Sequence, residues 1–181
     1  MKVKILFIFI ILITVSCLNP VPRKPITRKT SSFIEESVAF NKKMNAKEES
    51  EIKRVIALDS IYTYKTSSKG FWYTYTKKSE TVYTPKFGDE LKFTYQIEDL
   101  YNNIIYSFNE VGEKSYVVDQ QEIVEGLRNA LKLMKENEEI TFLFPSHRMY
   151  GYTGDENKIG SSQSLKVKVQ LIKINKKNES N

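Results

Sequence analysis

The sequence predicts an α+β domain in the C-terminal half of the chain, and three observations support this prediction. Segments 90–97, 139–144 and 164–172 alternate apolar and polar residues, which is typical of strands with one buried face. One amphipathic helical pattern lies among them, at 123–137. The composition is globular, with 40% hydrophobic and 28% charged residues. We therefore expect a largely antiparallel sheet wrapped on one short helix.

The three long strands each present an apolar row that should face the core. Shorter β-rich pieces lie at 104–107 and 115–118, and a polar loop with three glycines follows at 151–163. The inward residues of the long strands are Leu91, Phe93, Tyr95 and Ile97, then Ile140, Phe142 and Phe144, then Leu165, Val167, Val169 and Leu171.

The predicted helix at 123–137 has its apolar stripe at Ile123, Leu127, Leu131 and Met134. We expect it to end at Asn137, because asparagine tolerates the left-handed conformation that often stops a helix.

The segment before this domain predicts a long, mostly polar helix over 33–57. Ser32 and Glu35 have the spacing of a capping box, and the apolar residues beyond them form only a thin stripe. Two interpretations stay open, a spacer helix with one weakly docked face and a partner-binding arm. The aromatic stretch 70–76 is β-rich, so it is expected to pair with the following domain or to cover its edge.

The first seventeen residues have the pattern of an export signal that ends in a cysteine. Lys2 and Lys4 precede an apolar run from Ile5 to Ile13, which is too short to span a bilayer. Small residues then lead to Cys17, the only cysteine of the chain. The pattern resembles a bacterial lipobox, which implies lipidation of Cys17; the alternative is an ordinary signal peptide. The proline-rich basic stretch 18–30 predicts an extended tether.

The net charge of +6 does not by itself indicate a nucleic-acid partner. The lysines are scattered along the chain rather than gathered on one aromatic-rich stretch, so no nucleic acid is expected. Basic residues near a lipid anchor are suited to anionic head groups. The single histidine, His147, has no cysteine or serine–carboxylate arrangement that would make it catalytic.

One long segment carries a family resemblance. "IVEGLRNALKLMKENEEITFLFPSHRMYG" at 123–151 resembles the helix-to-strand stretch of FKBP-type peptidyl-prolyl isomerases, and the match extends upstream through "FGDELKFTY". The resemblance implies an FKBP-like antiparallel sheet on a short helix. "RKPITRKTSSFIEES", "GFWYTY" and "TPKFGDEL" are similar to the N-terminal extension of gliding-motility-associated FKBP-type lipoproteins.

The resemblance implies a prolyl site with apolar and aromatic walls. In this site the Val124 N–H would bind the substrate carbonyl, the Tyr150 hydroxyl would bind the peptide, and Ile159 would lie at the tip of the loop. Eight residues correspond to the family pocket: Tyr95, Tyr106, Ile123, Val124, Leu127, Tyr150, Ile159 and Val167.

Three departures from the family pattern bear on the expected activity. Ser107 stands where an aspartate usually follows the aromatic residue, Lys114 where a pocket phenylalanine is common, and Leu127 where the best-known members have a tryptophan floor. Prolyl isomerisation forms and breaks no covalent bond, so neither a metal nor a cofactor is expected.

The resemblance gives five regions along the chain. They are a signal peptide at 1–16, a lipidated cysteine and tether at 17–30, a helix and β extension at 31–85, an FKBP-type domain at 86–176 and a tail at 177–181. The expected activity is isomerisation of prolyl bonds in exported or envelope proteins, in support of gliding motility, by a lipid-anchored protein that faces the periplasm. Two alternatives stay open, a non-catalytic peptide-binding or structural lipoprotein and a basic envelope protein that binds anionic partners. The oligomeric state is not predicted.

Overall fold

The computed structural model describes residues 30–177. The chain divides into two units between Ser37 and Val38, and every contact discussed below lies within the second unit. The predicted signal peptide, Cys17 and the tether up to residue 29 lie outside the described residues. Within the described part, no helix is both long enough and apolar enough to cross a membrane.

The predicted N-terminal helix is confirmed, but its predicted start is wrong. Helix α1 (Thr30–Leu58) already includes Ser32, so this residue is not an N-cap. A residue inside the helix has helical backbone angles, whereas an N-cap needs an extended conformation. The thin apolar stripe does dock on the domain, because Ile52 is fully buried and Val55 and Ile56 are partly buried.

Seven strands form one antiparallel sheet in the described chain. The strands are β1 (Lys65–Thr66), β2 (Trp72–Lys77), β3 (Glu90–Glu98), β4 (Ile104–Tyr106), β5 (Lys114–Val117), β6 (Glu139–Phe144) and β7 (Leu165–Asn175). Their order in the sheet is β1-β2-β6-β7-β3-β4. Strand β4 pairs with the C-terminal end of β3, and β5 pairs with its N-terminal half. Strand β2 pairs with β6, which confirms that the aromatic stretch joins the following domain.

Both faces of the central strand β6 are buried. Phe142 and Phe144 face the main core as predicted, and the two rings stack with their centroids 5.7 Å apart. Leu143 points to the other face, where the alternation predicts exposure, and it is also fully buried. There it belongs to a second apolar cluster with Ile52 of α1 and Leu100. The N-terminal helix therefore covers the outer face of the sheet.

The helix predicted over 123–137 is much shorter in the structure. Helix α3 covers Glu125–Leu131, and a one-turn helix that was not predicted, α2 (Phe108–Val111), precedes it. After Leu131 the chain tightens into turns, and Asn137 takes φ +65° and donates its N–H to the Leu171 carbonyl at 2.8 Å. Met134 stays fully buried although it lies beyond the helix. The apolar periodicity therefore indicates which residues are buried. The helix ends where hydrogen bonds within the turns and to β7 replace the helical ones.

Gly126 lets the start of α3 approach the chain that follows β6. A Cβ atom on Gly126 would lie 2.6 Å from the Met149 Sδ and 2.7 Å from the Arg148 carbonyl oxygen. Both distances are too short for a side chain, so the close approach requires glycine. This contact brings the entry of α3 next to the segment that leads to Tyr150.

Candidate active site

A cavity of about 280 Å³ opens between β3, β4 and the loop 151–163. Three of the predicted site residues, Tyr95, Tyr106 and Tyr150, line it together. The other lining residues were not predicted as site residues: Ile97, Glu110, Val111, Lys114 and Asp155. The cavity therefore has an aromatic wall and a charged rim.

Tyr95 faces the cavity because of the alternation of β3. It shares a sheet face with Phe93 and Ile97, and its ring stacks on Phe93 with centroids 6.0 Å apart. Burial raises the pKa of the Tyr95 hydroxyl. The side chain therefore stays neutral and contributes an apolar ring to the wall.

Tyr106 links β4 to the glycine-containing loop. Its hydroxyl donates to the Asp155 Oδ2 at 2.5 Å and accepts from the Asn157 Nδ2 at 3.1 Å. The bond to Asp155 raises the pKa of Tyr106. Burial acts to raise the pKa of Asp155, but hydrogen bonds from Tyr106 and from the Ile159 and Asn157 amides hold it below its usual range. Asp155 is therefore a carboxylate that fixes the loop against the cavity wall.

The loop needs glycine at one point to fold around Asp155. Gly154 has φ +75°, and a Cβ atom there would lie 2.1 Å from the Ile159 carbonyl oxygen. A side chain at this position would force the loop open. Gly154 thus permits the tight turn in which the Asp155 Oδ1 accepts the Ile159 N–H at 2.7 Å.

Tyr150 lies two residues beyond a 3₁₀ turn (Ser146–Arg148) that follows β6. Its ring is half-buried against the core, and burial raises the pKa of the hydroxyl to about 12. The hydroxyl has no hydrogen-bond partner among residues 30–177. It is therefore a neutral donor that borders the cavity and is free to bind a ligand.

Val124 is the N-cap residue of α3 and does not open the helix as predicted. Its ψ of 132° is extended, so its carbonyl starts the helix by accepting the Arg128 N–H at 3.0 Å. Its own N–H has no partner in the described chain. Ile123, also before the helix, packs half-buried on the core. These positions keep the expected donor available at the helix entry.

Five of the eight predicted residues, Ile123 and Val124 among them, do not line the cavity, and the other three of these five lie in the core. Leu127 and Val167 are at most 1% exposed, so they support the wall from behind. Ile159 is expected at the loop tip, but it is 3% exposed and packs inward. Its neighbour Lys158 is the exposed residue, with its ammonium 4.8 Å from the Tyr106 ring centroid. The hydrogen bonds of the Asp155 turn direct Ile159 inward.

Most of the charged rim was not predicted from the sequence. Lys158 pairs with Glu110 of α2, and Asp155 binds Tyr106. The sequence feature that could have indicated Asp155 is "GDEN" at 154–157, a polar run in a glycine loop. Ser107 is not among the lining residues of the cavity. Its side chain caps α2 by accepting the Glu110 N–H at 3.3 Å. Lys114 lines the cavity, as its place in the family pattern suggested.

Comparison with known proteins identifies the family. The model of FKBP-type peptidyl-prolyl cis-trans isomerases matches residues 82–172, which is half of the chain. The chain belongs to the FKBP-type peptidyl-prolyl cis-trans isomerase family. It is 25% identical over 151 residues to the "Probable FKBP-type peptidyl-prolyl cis-trans isomerase FkpA" of Neisseria meningitidis serogroup B. That match covers 83% of this chain and 54% of the relative, so the chain spans about half the length of this curated protein.

Two solved structures share the FKBP-type fold with this chain. FkpA from Escherichia coli matches with a TM-score of 0.58 and 20% identity, over 95% of this chain and 82% of that one. A peptidyl-prolyl cis-trans isomerase from Pseudomonas syringae pv. tomato matches with a TM-score of 0.57 and 17% identity, over 72% of this chain and 96% of that one. These similarities support the α+β fold.

Proposed function

We propose that this chain is a peptidyl-prolyl cis–trans isomerase that acts on proline-containing segments of exported or envelope proteins. The family membership supports the reaction class. The observation that carries the proposal is the cavity with a tyrosine wall, bordered by the Tyr150 hydroxyl, which has no partner among the described residues. The Val124 N–H, also without a partner there, lies at the entry of α3, where Gly126 closely approaches the segment that leads to Tyr150. A hydroxyl donor beside an aromatic cavity is suited to an X–Pro amide, and the Val124 N–H offers a second donor at the helix entry.

The reaction requires little more of the side chains than to bind the peptide and to exclude water. Amide resonance gives the C–N bond a rotation barrier of about 18–20 kcal/mol. The bond is twisted at the transition state and the amide is less dipolar, so an apolar environment favours the twisted form over the planar one. Donors aimed at the carbonyl oxygen can hold it while the proline ring turns.

Each residue of the proposed site has a separate task in this scheme. Tyr95 and Tyr106 supply the wall against which the proline ring rests. The Val124 N–H binds the carbonyl of the peptide, and the Tyr150 hydroxyl donates to its backbone. Leu127 and Val167, both buried, hold the wall in place. No step transfers a proton or uses a nucleophile.

The site is tested by NMR exchange spectroscopy on a short X–Pro peptide with the wild type and two valine variants. Val124→Asp places a carboxylate where the site must be dry, so we expect most of the catalysed exchange to be lost. Val82→Asp is the matched control, because Val82 is 91% exposed and belongs to no helix or strand. Circular dichroism checks that both variants fold. Equal exchange rates in folded Val124→Asp and wild type would contradict the site.

A second candidate function is non-catalytic peptide binding. Its support is the charged rim, because Glu110, Lys114 and Asp155 make part of the cavity lining polar. A polar lining weakens the preference for the twisted amide but still permits binding. The same NMR experiment separates the two functions, since a binding module shifts peptide resonances without accelerating their exchange.

The proposal extends to location through the N-terminal sequence pattern. The apolar run from Ile5 to Ile13 and the small residues that lead to Cys17 support export, lipidation and attachment to a bacterial envelope membrane on its periplasmic side. The similarity of 23–37 to gliding-motility-associated lipoproteins supports a role in that machinery. Cys17→Ala should release the protein from the membrane fraction or leave it uncleaved. A cleaved Cys17→Ala protein that still partitions wholly with membranes would contradict the lipid anchor.

A further inference from the structure

Glu48 on α1 is a buried carboxylate that the proposed mechanism does not use. Only 8% of its surface is exposed, although it lies on the otherwise polar N-terminal helix. Its Oε2 accepts the Ser146 backbone N–H at 2.6 Å, and its Oε1 accepts the Ser146 hydroxyl at 2.8 Å. The Ser164 hydroxyl donates to the Oε2 at 3.1 Å. A buried carboxylate is costly unless such donors satisfy it, so this arrangement is specific.

The two serines flank segment 147–163, which contains Tyr150 and the loop 151–163. Ser146 begins the 3₁₀ turn that leads to Tyr150, and Ser164 directly precedes β7. The base of the loop is closed by two backbone bonds, from the Gly151 N–H to the Ser146 carbonyl at 2.8 Å and from the Ser162 N–H to the Gly151 carbonyl at 3.0 Å. Glu48 thus fastens both ends of the loop with one side chain.

We propose that Glu48 is a positioning residue for the prolyl site, and this rests on the function proposed above. By fixing Ser146 and Ser164, it sets the place from which Tyr150 and Asp155 reach the cavity. The N-terminal helix then completes the active site, whereas a spacer helix would only add reach. Small displacements of a binding group cost much of its catalytic effect, so a loosened loop lowers turnover without removing any group that touches substrate.

The chain offers a matched control on the same helix. Glu51 also joins α1 to a distant element, because it accepts the Tyr101 hydroxyl at 2.5 Å, but its other partner is Arg54 and neither belongs to the loop. Both Glu48→Gln and Glu51→Gln remove a charge and replace one carboxylate oxygen with an NH2 group in a side chain that bonds a distant element. Only Glu48→Gln places a side-chain NH2 group, itself a donor, against the donors at the ends of the loop.

The test measures kcat/KM on an X–Pro peptide and amide hydrogen exchange in the full-length chain. We expect Glu48→Gln to lower kcat/KM by roughly tenfold, chiefly through kcat, while Glu51→Gln stays within about twofold. The Gly151, Ile159 and Ser162 amides should exchange faster in Glu48→Gln and not in Glu51→Gln. Ser164→Ala, which leaves both Ser146 bonds intact, should give a smaller effect that does not add to that of Glu48→Gln.

Three outcomes decide the proposal. Unchanged turnover and unchanged loop exchange in Glu48→Gln would overturn it and leave Glu48 as a stabiliser of helix docking. Equal losses in Glu48→Gln and Glu51→Gln would overturn it as well. If the wild type shows no turnover, the proposed function fails by itself, and loop exchange in Glu48→Gln and Ser164→Ala still decides whether Glu48 orders the loop. Should Glu48→Gln not fold, Ser164→Ala carries the same test.

Discussion

The Tyr106 hydroxyl donates to the Asp155 Oδ2 at 2.5 Å and thereby joins strand β4 to the loop that follows Tyr150. This contact places a carboxylate beside the cavity although Ser107 occupies the position where family members usually have aspartate. Ser107 is engaged in capping α2. The carboxylate that binds Tyr106 is therefore supplied by the loop rather than by the residue that directly follows β4.

Asp155→Asn should reveal the contribution of this contact through its pH dependence. The folded-state pKa of Asp155 is held below its usual 3.8, so the carboxylate stabilises the fold above that value. As the pH falls through the lower folded-state pKa, this contribution is lost. Urea unfolding of wild type and Asp155→Asn should show a stability difference that is constant above about pH 5 and narrows below about pH 4.

The control for this prediction is the neighbouring Glu156→Gln, because Glu156 is exposed on the same loop. It should change the unfolding free energy little at any pH. A stability difference between wild type and Asp155→Asn that persists unchanged down to about pH 3 would show that the carboxylate form of Asp155 does not matter.

Tyr150→Phe tests the role of the tyrosine hydroxyl at the cavity. The hydroxyl has no partner in the described chain, so its removal leaves no protein group unpaired. A hydrogen bond to bound peptide contributes about 0.5–1.5 kcal/mol, so kcat/KM should fall roughly two- to tenfold. Tyr152→Phe is the matched control, since Tyr152 is 74% exposed on the same loop. The same loss in both variants would argue against a specific role for Tyr150.

Gly126→Ala tests the close approach at the entry of α3. The new methyl group would meet the Arg148 carbonyl oxygen at 2.7 Å, and backbone atoms cannot move aside as a side chain can. Overpacking costs about 1–3 kcal/mol, which exceeds the gain of up to about 1 kcal/mol from helix propensity. Chemical denaturation should therefore show a net loss of stability.

Gly160→Ala is the control for this variant, because its Cβ would meet nothing nearer than the Gln163 Oε1, at 3.5 Å. It should be neutral or slightly stabilising. If the Gly126→Ala variant is as stable as the Gly160→Ala variant, the segment after β6 relaxes freely away from α3, and the close approach does not require glycine.

The strands could be predicted because their information is local. Alternation placed Leu91, Phe93 and Ile97 on one face of β3, and all three are buried. The helix at 123–137 was predicted too long because Met134 continues the apolar period through turns that tertiary hydrogen bonds impose. Periodicity reports which residues are buried, but it does not determine where a helix gives way to turns.

The charged parts of the site could not be predicted because their partners are far apart in the sequence. Asp155 bonds Tyr106 across 49 positions, and Glu48 bonds Ser146 across 98. No local pattern distinguishes Glu48 from the exposed acids of the same helix. The family resemblance supplied Tyr95, Tyr106 and Tyr150, which the structure brings together, but it could not supply contacts particular to this chain.

The central claim is that the tyrosine-lined cavity catalyses prolyl isomerisation. The most direct measurement is the refolding rate of a protein whose slow phase is limited by proline isomerisation, with catalytic amounts of this chain lacking residues 1–17. We expect the slow phase to accelerate in proportion to enzyme concentration, and Val124→Asp to accelerate it far less. A slow phase that stays at its uncatalysed rate with folded wild-type protein, under conditions in which a known isomerase accelerates it, would contradict the account.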